Sequence, residues 1–127
     1  MANKYYATVL AKGKIVEEEL LLLVNGVEVM CFAGYCPERI FEGQSYTVEF
    51  DIDLPDADYA VATEVKTLLY EIVGGGFSCM LYGYLDGSIF QSFVEFNDQE
   101  IHFDYPELND KIVKIEVDRI NVAFLPS

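Results

Sequence analysis

A chain of 127 residues that is 52% hydrophobic, with nine tyrosines and nine phenylalanines, can build one ordinary core and is excluded from general disorder. Twenty-two acidic against eight basic side chains give a formal charge of -14, which favours solubility and makes phosphate backbones poor partners, because nucleic-acid binding uses Lys and Arg to release counterions. No apolar run reaches the ~18 residues of a membrane span, and the start lacks a secretion-signal pattern, so a single cytoplasmic domain over residues 1–127 is expected.

Lys4 to Lys12 sets Tyr5, Ala7, Val9 and Ala11 against Tyr6, Thr8, Leu10 and Lys12, the period of a first strand. Gly13 is placed to bend it, with Ile15 and Val16 continuing beyond, and the like charges of Glu17, Glu18 and Glu19 mark a solvated turn or strand rim. The stretch Leu20 to Ala33 then carries the strongest hairpin signal, two apolar runs around Asn25-Gly26, residues that accept the positive φ of a two-residue turn. The register pairs Val24 with Val27, Leu22 with Val29 and Leu20 with Cys31 on a wholly apolar side. The other side pairs Leu23 with Glu28, Leu21 with Met30 and Glu19 with Phe32, and needs partial cover from sheet curling, a helix or a partner subunit.

Gly34 to Gly43 is rich in turn residues and reads as a loop. Ser45 to Leu54 is the cleanest strand, with Tyr46, Val48, Phe50, Ile52 and Leu54 on one face and Thr47, Glu49, Asp51 and Asp53 on a wet, negative one. From Pro55 the period changes: Val61, Val65, Leu68, Leu69 and Ile72 share one side of a helix over about residues 58–73, capped by Asp56 or Asp58 and ended by Gly74 to Gly76. The same residues also fit an extended strand from Val65 to Ile72, since β-branched side chains weaken a helix.

Phe77 to Leu85 and Ser88 to Phe96 read as a second hairpin about Asp86-Gly87, which sets Leu85 opposite Ser88 and Gly83 opposite Phe90. After a turn at Asn97-Asp98, Ile101, Phe103 and Tyr105 alternate with His102 and Asp104 as a strand that Pro106 stops. The last strand runs from Lys111 to Leu125. Its apolar phase changes from Val113, Ile115 and Val117 to Ile120, Val122 and Phe124, which predicts a bulge or sharp bend near Asp118 to Ile120. These elements give a mainly β chain: a small antiparallel β-barrel similar in layout to the oligonucleotide/oligosaccharide-binding (OB) fold, with one short helix between strands and a β-sandwich as the alternative.

Chemistry is thinly signalled. Cys31, Cys36 and Cys79 lack the tight spacing of a metal site, and Cys31 and Cys79 lie on core faces. His102, the only histidine, has Asp104 two residues on and Ser88 or Ser92 as distant candidates, with no nucleophile motif. The tri-glycine run precedes a strand and matches no phosphate loop, and Glu71 or the pair Glu38 and Glu42 carry little as acid and base. Asp51, Asp53, Asp56 and Asp58 are the densest carboxylates, but calcium ligation would need them to converge and the EF-hand glycine is missing. No catalytic, cofactor or metal residue is therefore expected.

The leading reading is a non-enzymatic acidic interaction module, of which an immunity-like inhibitor of a basic protein or toxin is the concrete case. Glu49, Asp51, Asp53, Asp56 and Asp58 would meet the partner's cations, and Tyr82 and Tyr84, on a less committed face, would anchor it. The alternative is a small-ligand-binding barrel or a hydrolase around a cavity, and a homodimer is compatible with either.

Overall fold

The computed structural model describes residues 3–13, 17–34, 39–74 and 76–126. β1 (Tyr5–Lys12) turns Ala7 and Val9 into the core. Its pairing slips between Val9 and Ala11, so the chain bends before Gly13, and the two halves of the strand serve different neighbours. Ile15 and Val16 lie outside the described residues, while Glu17 and Glu18 form an exposed turn.

β2 (Glu19–Val24) and β3 (Val27–Phe32) make the anticipated hairpin: Asn25 and Gly26 take φ of 50° and 79°, and the pairs Val24/Val27, Leu22/Val29 and Leu20/Cys31 form as the turn dictates. Leu20, Leu22, Val24, Val29 and Cys31 are buried. The second side is half-covered by the chain itself. Tyr70 Oη accepts the Met30 N–H at 3.1 Å, the Phe77 ring meets Phe32 edge-on at 5.3 Å, and the Arg119 guanidinium lies 4.0 Å over Phe32.

β4 (Ser45–Asp53) buries Val48, Phe50 and Ile52, as its alternation requires. The chain continues through β5 (Ala60–Ala62), β6 (Tyr70–Ile72), β7 (Cys79–Asp86), β8 (Ile89–Gln91), β9 (Glu95–Asn97), α1 (Gln99–Asp104), a 3-10 turn at Pro106–Leu108, β10 (Ile112–Val117) and β11 (Arg119–Phe124). Five strands close a barrel in the order β1-β2-β3-β11-β4, antiparallel except where β11 meets β3 in parallel. The others form a six-stranded antiparallel sheet, β5-β10-β7-β8-β9 with β6 also on β7. Both contribute to one contiguous hydrophobic cluster.

The phase change in the last strand is the point where the chain leaves one sheet for the other. β10 pairs with β5 and β7, burying Val113, Ile115 and Val117. Asp118 breaks the ladder, its N–H donating to the Asp53 carbonyl at 2.8 Å. β11 then enters the barrel with Ile120 and Val122 inward.

Four expectations are corrected. No helix forms over residues 58–73: Ala60–Ala62 and Tyr70–Ile72 are strands, and Val61, Val65 and Ile72 are exposed instead of sharing a buried stripe. Val61, Thr63, Val65 and Thr67 are β-branched, and the ladders of β10 and β7 outweigh one apolar helical stripe. The short helix is α1, where a strand was anticipated; Asp98 caps it by accepting the Glu100 N–H at 2.9 Å. The second hairpin turns about Gly87-Ser88, with Asp86 opposite Ile89 and Leu85 opposite Phe90. Gly87 has φ of 59° and donates its N–H to Asn109 Oδ1 at 2.7 Å, which draws the turn one residue later.

The run read as one strand to Phe96 also folds back at Ser92 to Val94. There the Ser92 N–H bonds the Val94 carbonyl at 3.0 Å and Phe93 packs edge-on against Phe50 and Phe96.

Candidate functional site

Alternation along β4 leaves Glu49, Asp51 and Asp53 on the outside of the barrel, where register sets them across from Ala123, Asn121 and Arg119 of β11. Arg119 Nε donates to Asp53 Oδ2 at 2.7 Å, and Asn121 Nδ2 donates to Asp51 Oδ1 at 2.7 Å and to Asp53 Oδ1 at 3.0 Å. Asp53 is thus compensated by a cation. Asp51 is exposed and meets only a neutral amide, so its charge stays directed outward.

Beside this face the barrel meets the end of the six-stranded sheet and leaves a cleft of about 320 Å³. Phe50, Ile52 and Phe96 give it apolar walls, while Asp51, Glu95 and Asp98 supply three carboxylates, with Asn97 and Gln99 as amides. A smaller hollow of about 120 Å³ shares Phe50 and Asp51 and adds Glu49 and Asn121, so the negative surface runs from β4 into the cleft. The sequence pattern does not single out Glu95 and Asp98, since Asn97-Asp98 reads as a turn; the signal present is an Asp placed to cap a helix.

Asp56 and Asp58 occupy the exposed turn after β4. The next residue ties that turn to α1. Tyr59 is buried, its hydroxyl donates to Asp104 Oδ2 at 2.5 Å, and its N–H donates to Tyr105 Oη at 2.9 Å. Burial, followed by the Asp104 carboxylate that accepts its hydrogen bond, raises the Tyr59 hydroxyl well above the ordinary phenol range. The acids of β4 and its turn are thereby joined to those of α1, where Glu100 and Asp104 are exposed.

The hydroxyls of the two tyrosines expected as anchors are both engaged within the chain. Tyr82 is 7% exposed and donates to Glu71 Oε1 at 3.1 Å; Tyr84 is half-buried and donates to Asp110 Oδ1 at 2.8 Å. Burial raises the Tyr82 hydroxyl, and the bond to Asp110 raises that of Tyr84. Alternation did put them on a shared face, but that face meets β6 and the segment after α1. Among the described residues the aromatics that protrude are Tyr6 at 71%, Phe41 at 60% and Phe103 at 83% exposure.

The other candidates separate. His102 and Asp104 do not share a strand: Asp104 holds Tyr59, and the buried His102 Nδ1 has no hydrogen-bond partner among the described residues. The Ser92 hydroxyl shares its one proton between the Tyr82 carbonyl at 2.8 Å and the Leu69 carbonyl at 3.1 Å. Cys31 and Cys79 are buried free thiols; burial pushes Cys79 up to about 12 and, with Cys79 nearby, raises Cys31 as well. Cys36 and Glu38 lie outside the described residues. Among the described residues no cluster of three His, Cys, Asp or Glu side chains is placed to hold a metal.

A family model described as Uncharacterised conserved protein UCP019853 matches residues 3–125. No curated protein and no solved structure matches the chain. Among the described residues no helix is long and apolar enough to cross a membrane.

Proposed function

The chain belongs to that family, and from its surface we propose that it is a non-enzymatic acidic interaction module, binding a basic protein through the outer face of β4 and the cleft between Asp51, Glu95 and Asp98. The observation that carries this reading is how little of the acid is neutralised internally among the described residues. Among the described residues no charged side chain is buried, and one ion pair forms, Arg119 with Asp53 at 2.7 Å. The acidic excess of the described residues therefore faces solvent, where it accelerates encounter with a cationic surface and rejects acidic ones. An immunity-like inhibitor of a cationic toxin is the narrower form of the proposal. Free buried thiols suit a reducing, cytosolic setting.

The barrel's strand order, with its single parallel contact, supports an OB-like layout. OB barrels bind oligonucleotides across the face of their second and third strands. Here the corresponding side carries Leu21, Leu23, Met30 and Phe32, and Tyr70, Phe77 and Arg119 lie over it. That cover, together with the negative charge, favours a protein ligand on another face.

The test is capture from native extract at low and high salt, followed by association kinetics with whatever basic protein is recovered. Between about 0.05 and 0.5 M salt the association rate should fall steeply. A variant carrying Asp51→Asn, Glu95→Gln and Asp98→Asn, in which the Asn keeps the helix cap, should associate several-fold more slowly. A rate indifferent to salt, or one the variant leaves unchanged, removes the reading.

A further inference from the structure

The cleft of about 320 Å³ beside β4 is a cavity between two sheets, with β4 as one wall and β9 as the other. The Asp98 N–H donates to the Ser88 carbonyl at 2.8 Å, so the alternation of an antiparallel pair turns the backbone groups of Glu95 and Asn97 away from β8. That is the barrel side, where the Glu95 N–H meets Tyr5 Oη at 2.8 Å. Phe50 and Ile52 from β4 and Phe96 from β9 face the cavity with carbon from the core itself.

Each of the three carboxylates is anchored through one oxygen. Asp51 Oδ1 accepts from Asn121 at 2.7 Å, Asp98 Oδ1 accepts the Glu100 N–H at 2.9 Å, and Glu95 Oε2 accepts from Asn3 at 3.3 Å. Among the described residues the second oxygen of each takes no hydrogen bond, and none of the three is paired with a cation. Fixed acceptors over apolar walls call for a ligand that only donates, carries positive charge and sheds water readily.

A metal ion does not meet that description here, because among the described residues no three acidic, His or Cys side chains close on one point. An ammonium is a compact, strongly hydrated point charge, whereas a guanidinium spreads five donors over a plane, is weakly hydrated and spans separated acceptors. The chain itself shows the match two residues along β4. Asp53 accepts from Arg119 Nε at 2.7 Å while the guanidinium lies 4.0 Å over the Phe32 ring, so one carboxylate of this acid row and a phenyl group already hold a guanidinium.

We propose that the cleft is an arginine site, filled by a side chain of the basic partner, with its aliphatic stem against Phe50, Ile52 and Phe96 and its guanidinium among Asp51, Glu95 and Asp98. This rests on the reading of the acidic face as a recognition surface and adds the group recognised, arginine and not lysine.

Titration of the full chain with Nα-acetyl-arginine amide at fixed ionic strength, followed by amide NMR shifts, tests the site without any partner. Saturable shifts should appear at Asp51 and from Glu95 to Gln99 with Kd about 1–10 mM, and Nα-acetyl-lysine amide should bind at least about fivefold more weakly. Glu95→Gln combined with Asp98→Asn, which keeps the helix cap, should weaken arginine binding about tenfold, while an unchanged amide pattern elsewhere reports an intact fold. Equal responses to the two amides, or shifts that spread over the acidic surface without saturating, overturn the proposal; salt-dependent association with a basic protein would then still support the wider reading. Saturable, arginine-selective binding by a chain that captures no basic protein leaves the arginine site standing and removes that wider reading.

Discussion

Gly83 is the position where a single atom decides the local packing. A Cβ there would lie 2.1 Å from the Gln91 carbonyl oxygen and 3.0 Å from the Ser92 Cα, both backbone atoms of the fold-back that packs on β7. Neither can move without disturbing the Ser92 turn, so Gly83→Ala should cost about 3 kcal/mol, the upper end of what overpacking does. Gly87→Ala meets open space but must hold φ of 59°, and should cost about 1 kcal/mol. Urea midpoints compare the two directly; equal losses would show that conformation and not contact governs Gly83. The sequence does mark Gly83 as a place of close approach, yet it points to the Phe90 ring. The true neighbour depends on where the hairpin turns, and the Asn109 side chain that sets this comes from a distant segment.

Whether Gln99–Asp104 is a helix or a strand turns on its ends and not on its middle. Ile101, Phe103 and Tyr105 alternate, but Ile101 and Tyr105 are also four apart, and only those two pack against the core while Phe103 is 83% exposed. The Asp98 cap decides for the helix. Asp98→Ala should therefore destabilise the protein by about 1 kcal/mol and speed amide exchange through α1, while Asp98→Asn should do neither; an Ala variant with unaltered exchange would mean that the Tyr59–Asp104 bond holds α1 without the cap. Signals that are local to one strand pair were legible. Asn25-Gly26 dictated every pair of its hairpin, and the phase change after Val117 announced a break near Asp118, though not that the chain changes sheets there. Signals that need a third element were not. Val61 to Ile72 has a helical stripe, and only the presence of β10 and β7 makes strands of it. The acidic side of the candidate site was likewise half legible: β4 showed Asp51, whereas Glu95 and Asp98 join it only because the chain folds back at Ser92.

At the scale of the whole molecule, electrostatics should act against the folded state in an unusually uniform way. Folding brings charges summing to -14 onto one small surface, while the unfolded chain spreads them apart. Among the described residues the opposing attraction is one exposed pair, Arg119 with Asp53, of the kind worth about 0–1 kcal/mol. Added salt therefore screens a large repulsion and has little attraction to weaken. Raising sodium chloride from about 0.01 to 0.5 M shortens the screening length from about 30 Å to a few Å and should stabilise the fold by at least about 1 kcal/mol, or about 4 °C in Tm for a chain of this size. Thermal melts at a fixed, low protein concentration, where dimerisation contributes nothing, separate this from association. A Tm that stays level or falls with salt would mean that the acids are compensated by internal contacts, and the outward negative field on which the proposed recognition depends would then be gone.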